Sequence, residues 1–536
     1  MSKKQTINPA EQESKFAEHE QFLASEKIAN AEDLASYLEE KGYAEHAEVY
    51  RHVAELAEKI KDAGGRAYIV GGFVRDYLLG EVSKDIDLEV YGLDLDKIKD
   101  TVQGSGKIDE VGRSYGVLKI FPGKGVDIDL VLPRRESKTG QGHKGFDINS
   151  DPNLPMHDAA KRRDFTMNSI LADPLSGKVY DPFSGIEDIK NKTLRVTNEK
   201  TFKEDPLRVL RALQFAARLH LQPDEESQRI IRETVPMIKE EIDVDRFRAE
   251  WEKLLGRSSQ PSEGMRLGRE LGVYEELHPE LAAIYEIPQN PEWHPEGDAW
   301  EHTMQVVDQM AEICQRENIT DKERMLLMYA ALGHDFGKAT HTQLEDGQYK
   351  SHGHEKAGVD PVKSFLKNMR VDHNTIAKVA TLVEHHMRPS ELYKAEHEKK
   401  QPISDGAIRR LSQKISPATI NELLLVSEAD HRGREPMTPE YRRDKMDIDL
   451  DDNFLVGQWL RKRAADLKVA DKPAEHLVTG KDLKKLGLKP GPIYTKIIQL
   501  ADELHGTHDV SREEVLKIVG GGQDGDEVVK KLEELK

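Results

Sequence analysis

The stretch from Ala67 to Val90 constrains the fold of this 536-residue chain more than any other. An apolar run, Tyr68-Ile69-Val70, ends in Gly71-Gly72, and Phe73 to Leu79 then has helical spacing. Lys84-Asp85-Ile86-Asp87-Leu88-Glu89-Val90 alternates as a strand does, so a β-helix-β unit is expected. Paired glycines let backbone N–H groups approach an anion closely, and a helix N-terminus adds a positive field. A phosphate is therefore expected at Gly71 and Gly72, faced by Arg75. On a strand alternate residues share a face, so Asp85 and Asp87 point one way while Ile86 and Leu88 enter the core. Two hard oxygen donors on one face make a Mg²⁺ site beside a bound triphosphate. Alone, Asp-x-Asp reads as a solvated strand edge. Joined to Gly-Gly-x-x-Arg-Asp it reads as a site of nucleotidyl transfer.

Apolar residues make up 37% and charged residues 33%, which describes a charge-rich globular chain long enough for several domains. Cys314 is the only cysteine, which excludes a disulfide within the chain and points to a reducing compartment. Met1 to Gln5 lacks the apolar stretch of a secretory signal, and no run approaches membrane-spanning length, so a cytoplasmic protein with no membrane partner is expected. The net charge of −19 argues against a surface coated with nucleic acid, yet the charge is uneven. Residues 1–60 hold 13 acidic against 7 basic side chains, whereas Arg461 to Lys496 holds ten basic against four acidic.

The pattern predicts an α+β protein in five parts. Residues 1–60 read as an acidic helical extension and 61–200 as an α/β-patterned head, with strand-like runs at Val117–Ile120 and Val126–Val131. Residues 201–290 read as a helical neck and body, 291–440 as a second helical domain, and 441–536 as a helical, partly basic C-terminal region. Gly520 to Gly525 reads as a linker; it lacks the Lys-Ser/Thr of a phosphate loop.

Three further clusters accompany Asp85 and Asp87. Asp129 lies in Ile-Asp-Leu-Val-Leu-Pro-Arg, where a third carboxylate would complete the metal site or activate a hydroxyl; Asp127 shares its face and is the rival. Arg162-Arg163-Asp164-Phe165-Thr166-Met167-Asn168 comes next, with Asp181-Pro182-Phe183-Ser184-Gly185 after it. Glu204-Asp205-Pro206-Leu207-Arg208 opens a helix on which Asp205 and Arg208 are surface neighbours, either an ordinary helix-start pair or an acceptor and donor for the edge of a base. Together, from about Ala67 to Arg218, these segments resemble class II tRNA nucleotidyltransferases, the bacterial-type CCA-adding enzymes and their poly(A) polymerase relatives. The resemblance implies a polymerase-β-like nucleotidyltransferase head followed by helical neck, body and tail. It implies catalysis by Asp85, Asp87 and Asp129, with Mg²⁺ on Asp85 and Asp87 and the triphosphate on Gly71, Gly72 and Arg75. It also implies that Arg163, Asp164 and Asn168 support the ribose and nucleotide pocket, and that Asp205 and Arg208 select CTP or ATP. The implied partners are the tRNA 3′ end, CTP and ATP. Ser169 and Ser184 stand where Ala and Gly are commoner, which leaves the ligands untouched.

A second constellation lies downstream: His302 in Glu301-His302-Thr303, His334 and Asp335 in Leu332-Gly333-His334-Asp335-Phe336-Gly337-Lys338, and Asp430 in Ser427 to Arg434. These are N and O donors for a divalent metal, gathered from several helices. The set resembles the HD phosphohydrolase superfamily over about Trp293 to Arg434. His352, His354, Glu384, His385 and His386 are candidates for a second ion or for substrate contact, with His354 and His385 the ligand pair preferred. A nucleotidyltransferase head joined to an HD domain resembles the multifunctional CCA enzymes, which implies hydrolysis of 2′-phosphate or 2′,3′-cyclic phosphate ends. Trp293-His294-Pro295-Glu296 and Gly353-His354 match that subgroup's wording, and Leu483 to Ile497, with Leu486-Gly487-Leu488-Lys489-Pro490-Gly491-Pro492, resembles a tail segment of such proteins. Rival readings are a poly(A) polymerase, an enzyme adding only part of CCA, or an HD nucleotide hydrolase with a nucleotide-binding regulatory head. The identity of the HD metal and the oligomeric state stay open.

Overall fold

In the computed structural model the described residues are 28–80, 86–110, 116–123, 126–138, 146–435, 438–508, 510–522 and 524–535. They form two compact units, 1–247 with 270–273 and 248–269 with 274–536. The division falls inside the segment read from sequence as neck and body.

The first unit is built on a seven-stranded mixed sheet. Its strands are β1 (Arg66–Val70), β2 (Ile86–Tyr91), β3 (Lys107–Glu110), β4 (Val117–Gly123) and β5 (Val126–Val131). After a separate hairpin, β6 (Arg134–Lys138) and β7 (Phe146–Ser150), come the two short strands β8 (Leu171–Ala172) and β9 (Val179–Tyr180). The sheet order is β3-β4-β5-β2-β1-β8-β9. Only β2 and β5 pair in parallel, and their register sets Asp87 opposite Asp129, with Ile86 opposite Ile128 and Leu88 opposite Leu130. Ile86, Leu88, Ile128 and Leu130 are buried, as alternation on a half-covered strand requires, and this turns the aspartates to the other face. The helix Gly72–Leu78 links β1 to β2.

Residues 31–62 do not stand apart from the head as an extension. Helix Ala44–Asp62 buries Val49, Tyr50, Val53, Leu56, Ala57 and Ile60 at helical spacing. Its Tyr50 ring lies 5.5 Å from that of Phe73. The segment before helix Ala31–Glu40 is pinned by Ile28 N–H donating to the Gly177 carbonyl at 3.0 Å and Ala31 N–H to Pro174 at 2.8 Å.

The second unit is almost wholly helical. At its centre helices Ala299–Arg316, Asp321–Gly333, His373–His385 and Ile420–Arg432 pack on one another around Met304, Val307, Leu327, Met328, Val379, Leu424 and Val426, all buried. Helices Gly480–Lys485, Ile493–His508, Arg512–Gly520 and Gly525–Glu533 share a separate core that includes Leu483, Ile497, Leu504, Val515 and Leu532. The glycine segment before Gly525 therefore joins two packed helices: a methyl on Gly522 would lie 2.5 Å from Val528. Among the described residues no helix is long and apolar enough to cross a membrane.

Candidate active sites

Asp85 lies outside the described residues; the other head residues singled out by sequence are placed as follows. Val70, the last residue of β1, pairs with Asp87, so the chain enters Gly71 directly beside that carboxylate. Gly71 has φ of 78°, a left-handed conformation that favours glycine. A methyl there would lie 3.5 Å from Nη1 of Arg163 and 3.6 Å from Oδ2 of Asp87. One point in space thus collects a glycine backbone, a guanidinium and a carboxylate. The parallel register sets Asp129, rather than Asp127, directly opposite Asp87. Asp127 is an exposed partner of Lys119 at 2.7 Å, and the same ammonium lies 3.1 Å from Asp129.

Behind this face runs a buried polar chain. Arg75 Nη1 donates to Asn168 Oδ1 at 2.7 Å, Asn168 Nδ2 donates to Asp164 Oδ1 at 2.8 Å, and Arg211 Nε donates to Asp164 Oδ2 at 2.7 Å. The guanidinium groups of Arg75 and Arg211 lie 5.0 and 5.1 Å from the Phe215 ring centre. Burial resists charge on Asp164, but Arg211 and Arg208 outweigh it and hold the carboxyl at about 2. Arg75 is only 5% exposed. Asn168 and Asp76 engage three of its five donors, and its Nη2 lies 3.1 Å from where a methyl on Gly72 would sit, so the guanidinium stands beside the paired glycines as expected. Asp205 and Arg208 are anchored separately. Arg246 Nη2 lies 3.2 Å from Asp205 Oδ2, and Arg208 Nη2 donates to the Arg162 carbonyl at 2.6 Å.

Sequence reasoning missed two members of this site. Glu89 is fully buried, accepts the Tyr91 hydroxyl at 2.8 Å, and lies 3.5 Å from Arg162 and 3.7 Å from Arg163. It continues the alternation Asp85, Asp87, Glu89, which was the available signal. Arg211 stands one turn beyond Arg208, and only the tertiary fold reveals its partner.

The HD residues converge in the second unit. His302 sits in helix Ala299–Arg316, His334 caps helix Asp321–Gly333, Asp335 follows it, and Asp430 lies in helix Ile420–Arg432. His302 Nε2 is 3.0 Å from Asp430 Oδ1, and His334 Nε2 is 3.2 Å from Asp335 Oδ2. The other oxygen of Asp335 lies 3.2 Å from His354 Nε2. The expected ligands gather in two clusters, His302-His334-Asp430 and Asp335-His354-His386, with Asp335 facing both, and His294 and Glu296 form a further group around His302. The histidine paired with His354 is thus His386, not His385. His386 is the C-cap of helix His373–His385, and one residue of helical rotation, about 100°, turns its neighbour away from the cluster.

The donor set fits a divalent ion. His334 Nε2 and Asp335 Oδ2 are buried 3.2 Å apart without an aligned hydrogen bond, and that oxygen also lies 2.6 Å from Lys338 Nζ; a cation here would take the imidazole lone pair and share the carboxylate with Lys338. Burial disfavours charge on Asp335 and Asp430, yet His334 with Lys338, and His302 with Arg434, hold both well below the usual carboxylate range. Burial likewise opposes charge on His302, but Asp430 and Glu296 raise it to about 9. These groups line a cavity of about 500 Å³, together with Lys338, Arg434, Trp293 and the short hairpin ending in Tyr349 and Lys350. A methyl on Gly337 would sit 2.0 Å from the His354 carbonyl oxygen. Gly337→Ala should therefore cost about 2–3 kcal/mol of stability, read by thermal unfolding; an unchanged melting temperature would contradict this packing.

Comparison with known proteins finds matches to the regions that carry both constellations. Residues 67–195 match the poly A polymerase head domain, 220–285 the probable RNA and SrmB-binding site of polymerase A, and 299–507 the HD domain. The multifunctional CCA protein of Xanthomonas campestris pv. campestris (strain B100) is 34% identical over 398 residues, covering 70% of this chain and 89% of that protein. That of Mannheimia succiniciproducens is 33% identical over 377 residues, covering 69% and 84%. Among solved structures, the Bacillus stearothermophilus CCA-adding enzyme in complex with CTP superposes with a TM-score of 0.56 at 20% identity, over 88% of this chain and 96% of that one. The Thermotoga maritima CCA-adding enzyme complexed with tRNA gives 0.52 at 19% identity, over 91% and 95%. These likenesses, at such length and in both halves of the molecule, make the chain a member of the multifunctional CCA protein family, with a nucleotidyltransferase head and an HD domain.

Proposed function

We propose that the head adds and repairs the 3′ CCA end of tRNA from CTP and ATP, and that the HD domain hydrolyses 2′-phosphate or 2′,3′-cyclic phosphate ends. The carrying observation is the meeting of Gly71, Arg163, Asp87 and Asp129 beside the central strands of one sheet. In this reading Asp87 and Asp129, with Asp85, hold divalent metal, which supplies charge stabilisation at the α-phosphate and the departing pyrophosphate. The backbone at Gly71 and Gly72 receives the triphosphate, and Arg163 offers it a cation held in place by Glu89. The protein's part is mainly orientation and preorganised charge. Asp205 and Arg208 read the base edge, each oriented by its own neighbour. Arg208→Ala should then relax CTP/ATP selection at least tenfold while changing triphosphate affinity little, because a polar site rejects the wrong base by leaving its groups unpaired. Selection at the wild-type ratio in single-nucleotide incorporation assays would reduce Asp205 and Arg208 to a structural role.

In the HD domain His302, His334, Asp335 and Asp430 would hold one ion, and Asp335, His354 and His386 a second. Such ions supply Lewis acidity for phosphate-ester hydrolysis. Lys338 and Arg434 neutralise the phosphate, and the cavity falls in the size range of small-ligand sites, roughly 300–1,000 Å³. The test supplies RNAs ending in 2′-phosphate or 2′,3′-cyclic phosphate with Mg²⁺, Mn²⁺, Ni²⁺ or Co²⁺ in turn. Phosphate release or ring opening with at least one ion is expected; neither with any ion would overturn the hydrolase reading.

A further inference from the structure

Three of the four histidines in the HD clusters spend Nδ1 in the same way. His334 Nδ1 lies 2.7 Å from the Ala331 carbonyl, His354 Nδ1 2.7 Å from Ser351, and His386 Nδ1 2.8 Å from Val383, each three residues back. Each contact fixes the proton on Nδ1 and leaves the Nε2 lone pair for an ion. His302 lies within a helix and meets no such carbonyl. Its Nδ1 faces Oε1 of Glu296 at 2.8 Å. The Glu296 side chain is fully buried, and the same oxygen accepts a hydrogen bond from His294 Nδ1 at 2.8 Å. It stands off the N–H axis of His302, so the contact in this state is one of close charges rather than an aligned hydrogen bond. The His294 ring in turn packs edge-on against His302, with centroids 4.6 Å apart.

We propose that Glu296 is the positioning residue of the first HD histidine: it takes the place of the missing carbonyl, keeps the His302 proton on Nδ1, and turns Nε2 toward Asp430. His294 is the strut that holds the carboxylate in place. Glu296 touches neither substrate nor ion in this account. It acts through His302, as carboxylates behind metal-bound imidazoles do. The inference rests on the reading of the HD residues as metal ligands, and the test separates failure of one from failure of the other.

The experiment uses the full chain carrying Asp87→Ala, so that binding by the head carboxylates is diminished, with and without Glu296→Ala or Glu296→Gln. Metal-free protein is titrated with Co²⁺ alone and with Mn²⁺ alone, by calorimetry and by the visible spectrum of bound Co²⁺. Glu296→Ala should weaken the affinity of the His302 ion by roughly 10- to 100-fold and shift the Co²⁺ spectrum. Glu296→Gln keeps an acceptor oxygen and should recover part of the loss. A purely structural acid would lower the melting temperature of the metal-free protein in both variants and leave affinity and spectrum as they were; that result overturns the proposal. Should Glu296→Ala fail to fold, Glu296→Gln decides, and wild-type affinity with a wild-type spectrum overturns it as well. If the protein with Glu296 intact binds no ion outside the head, the metal-ligand reading itself falls and takes this inference with it.

Discussion

Asp87→Ala should reduce nucleotide addition to tRNA by a factor on the order of a thousand or more and leave thermal unfolding nearly unchanged. The first half follows from position and the proposed role: Asp87 pairs across β2 and β5 with Asp129 and lies beside Gly71 and Arg163, so its loss would remove a metal ligand where charge develops in the proposed transfer. About 4 kcal/mol of lost transition-state stabilisation corresponds to roughly a thousandfold in rate. The second half follows from exposure, since Asp87 is solvent-exposed while Ile86 and Leu88 on either side carry the packing. Asp85→Ala is expected to behave alike. Single-turnover incorporation of CTP and ATP, with a melting curve on the same sample, checks both halves. Addition within tenfold of wild type by a folded Asp87→Ala protein would refute the assignment.

His334→Ala combined with Asp335→Ala should abolish HD-dependent hydrolysis and its metal binding, while CTP and ATP incorporation stays within about twofold. The expectation of independence rests on the two clusters lying in different compact units. Hydrolysis should fall to background because the pair removes a donor from one ligand group and the carboxylate that faces both. The same variant strips Lys338, itself 7% exposed, of its carboxylate partner at 2.6 Å and leaves it the neutral Gln289 amide oxygen. An unpaired buried ammonium is costly, so the double variant should also unfold at lower temperature, by a margin worth about 3 kcal/mol or more. Asp335→Asn, which keeps the volume, separates the two effects: hydrolysis should still be lost. Retained hydrolysis in folded Asp335→Asn protein would remove Asp335 from the site.

Much of both sites was legible because their signals are local. Gly71-Gly72 and the alternation through Asp87 depend on neighbours in sequence, and the same is true of His334-Asp335 at a helix end. What sequence left open was set by tertiary register. Asp127 and Asp129 share a strand face, and only the pairing of β5 with β2 brings Asp129 to Asp87. His385 and His386 differ by one residue at a helix terminus, where the rotation needed to choose between them depends on where the helix stops. Arg75 stands beside Gly72, as its place near a helix start suggests, but its bond to Asn168, 93 residues away, is visible only in the fold. Glu296 sits in a loop with no periodicity, so its face toward His302 had no sequence signal beyond the wording of its segment. The helical pattern of residues 31–62 was visible, but what its apolar face covers was not.

The most direct measurement offers the purified protein three tRNAs, ending before the first C, after C and after CC, with CTP or ATP supplied separately. The account predicts that CTP extends the first by two residues and the second by one, and that ATP extends only the third, by one. Long adenylate tracts from ATP on all three ends, or no extension of any of them, would contradict it.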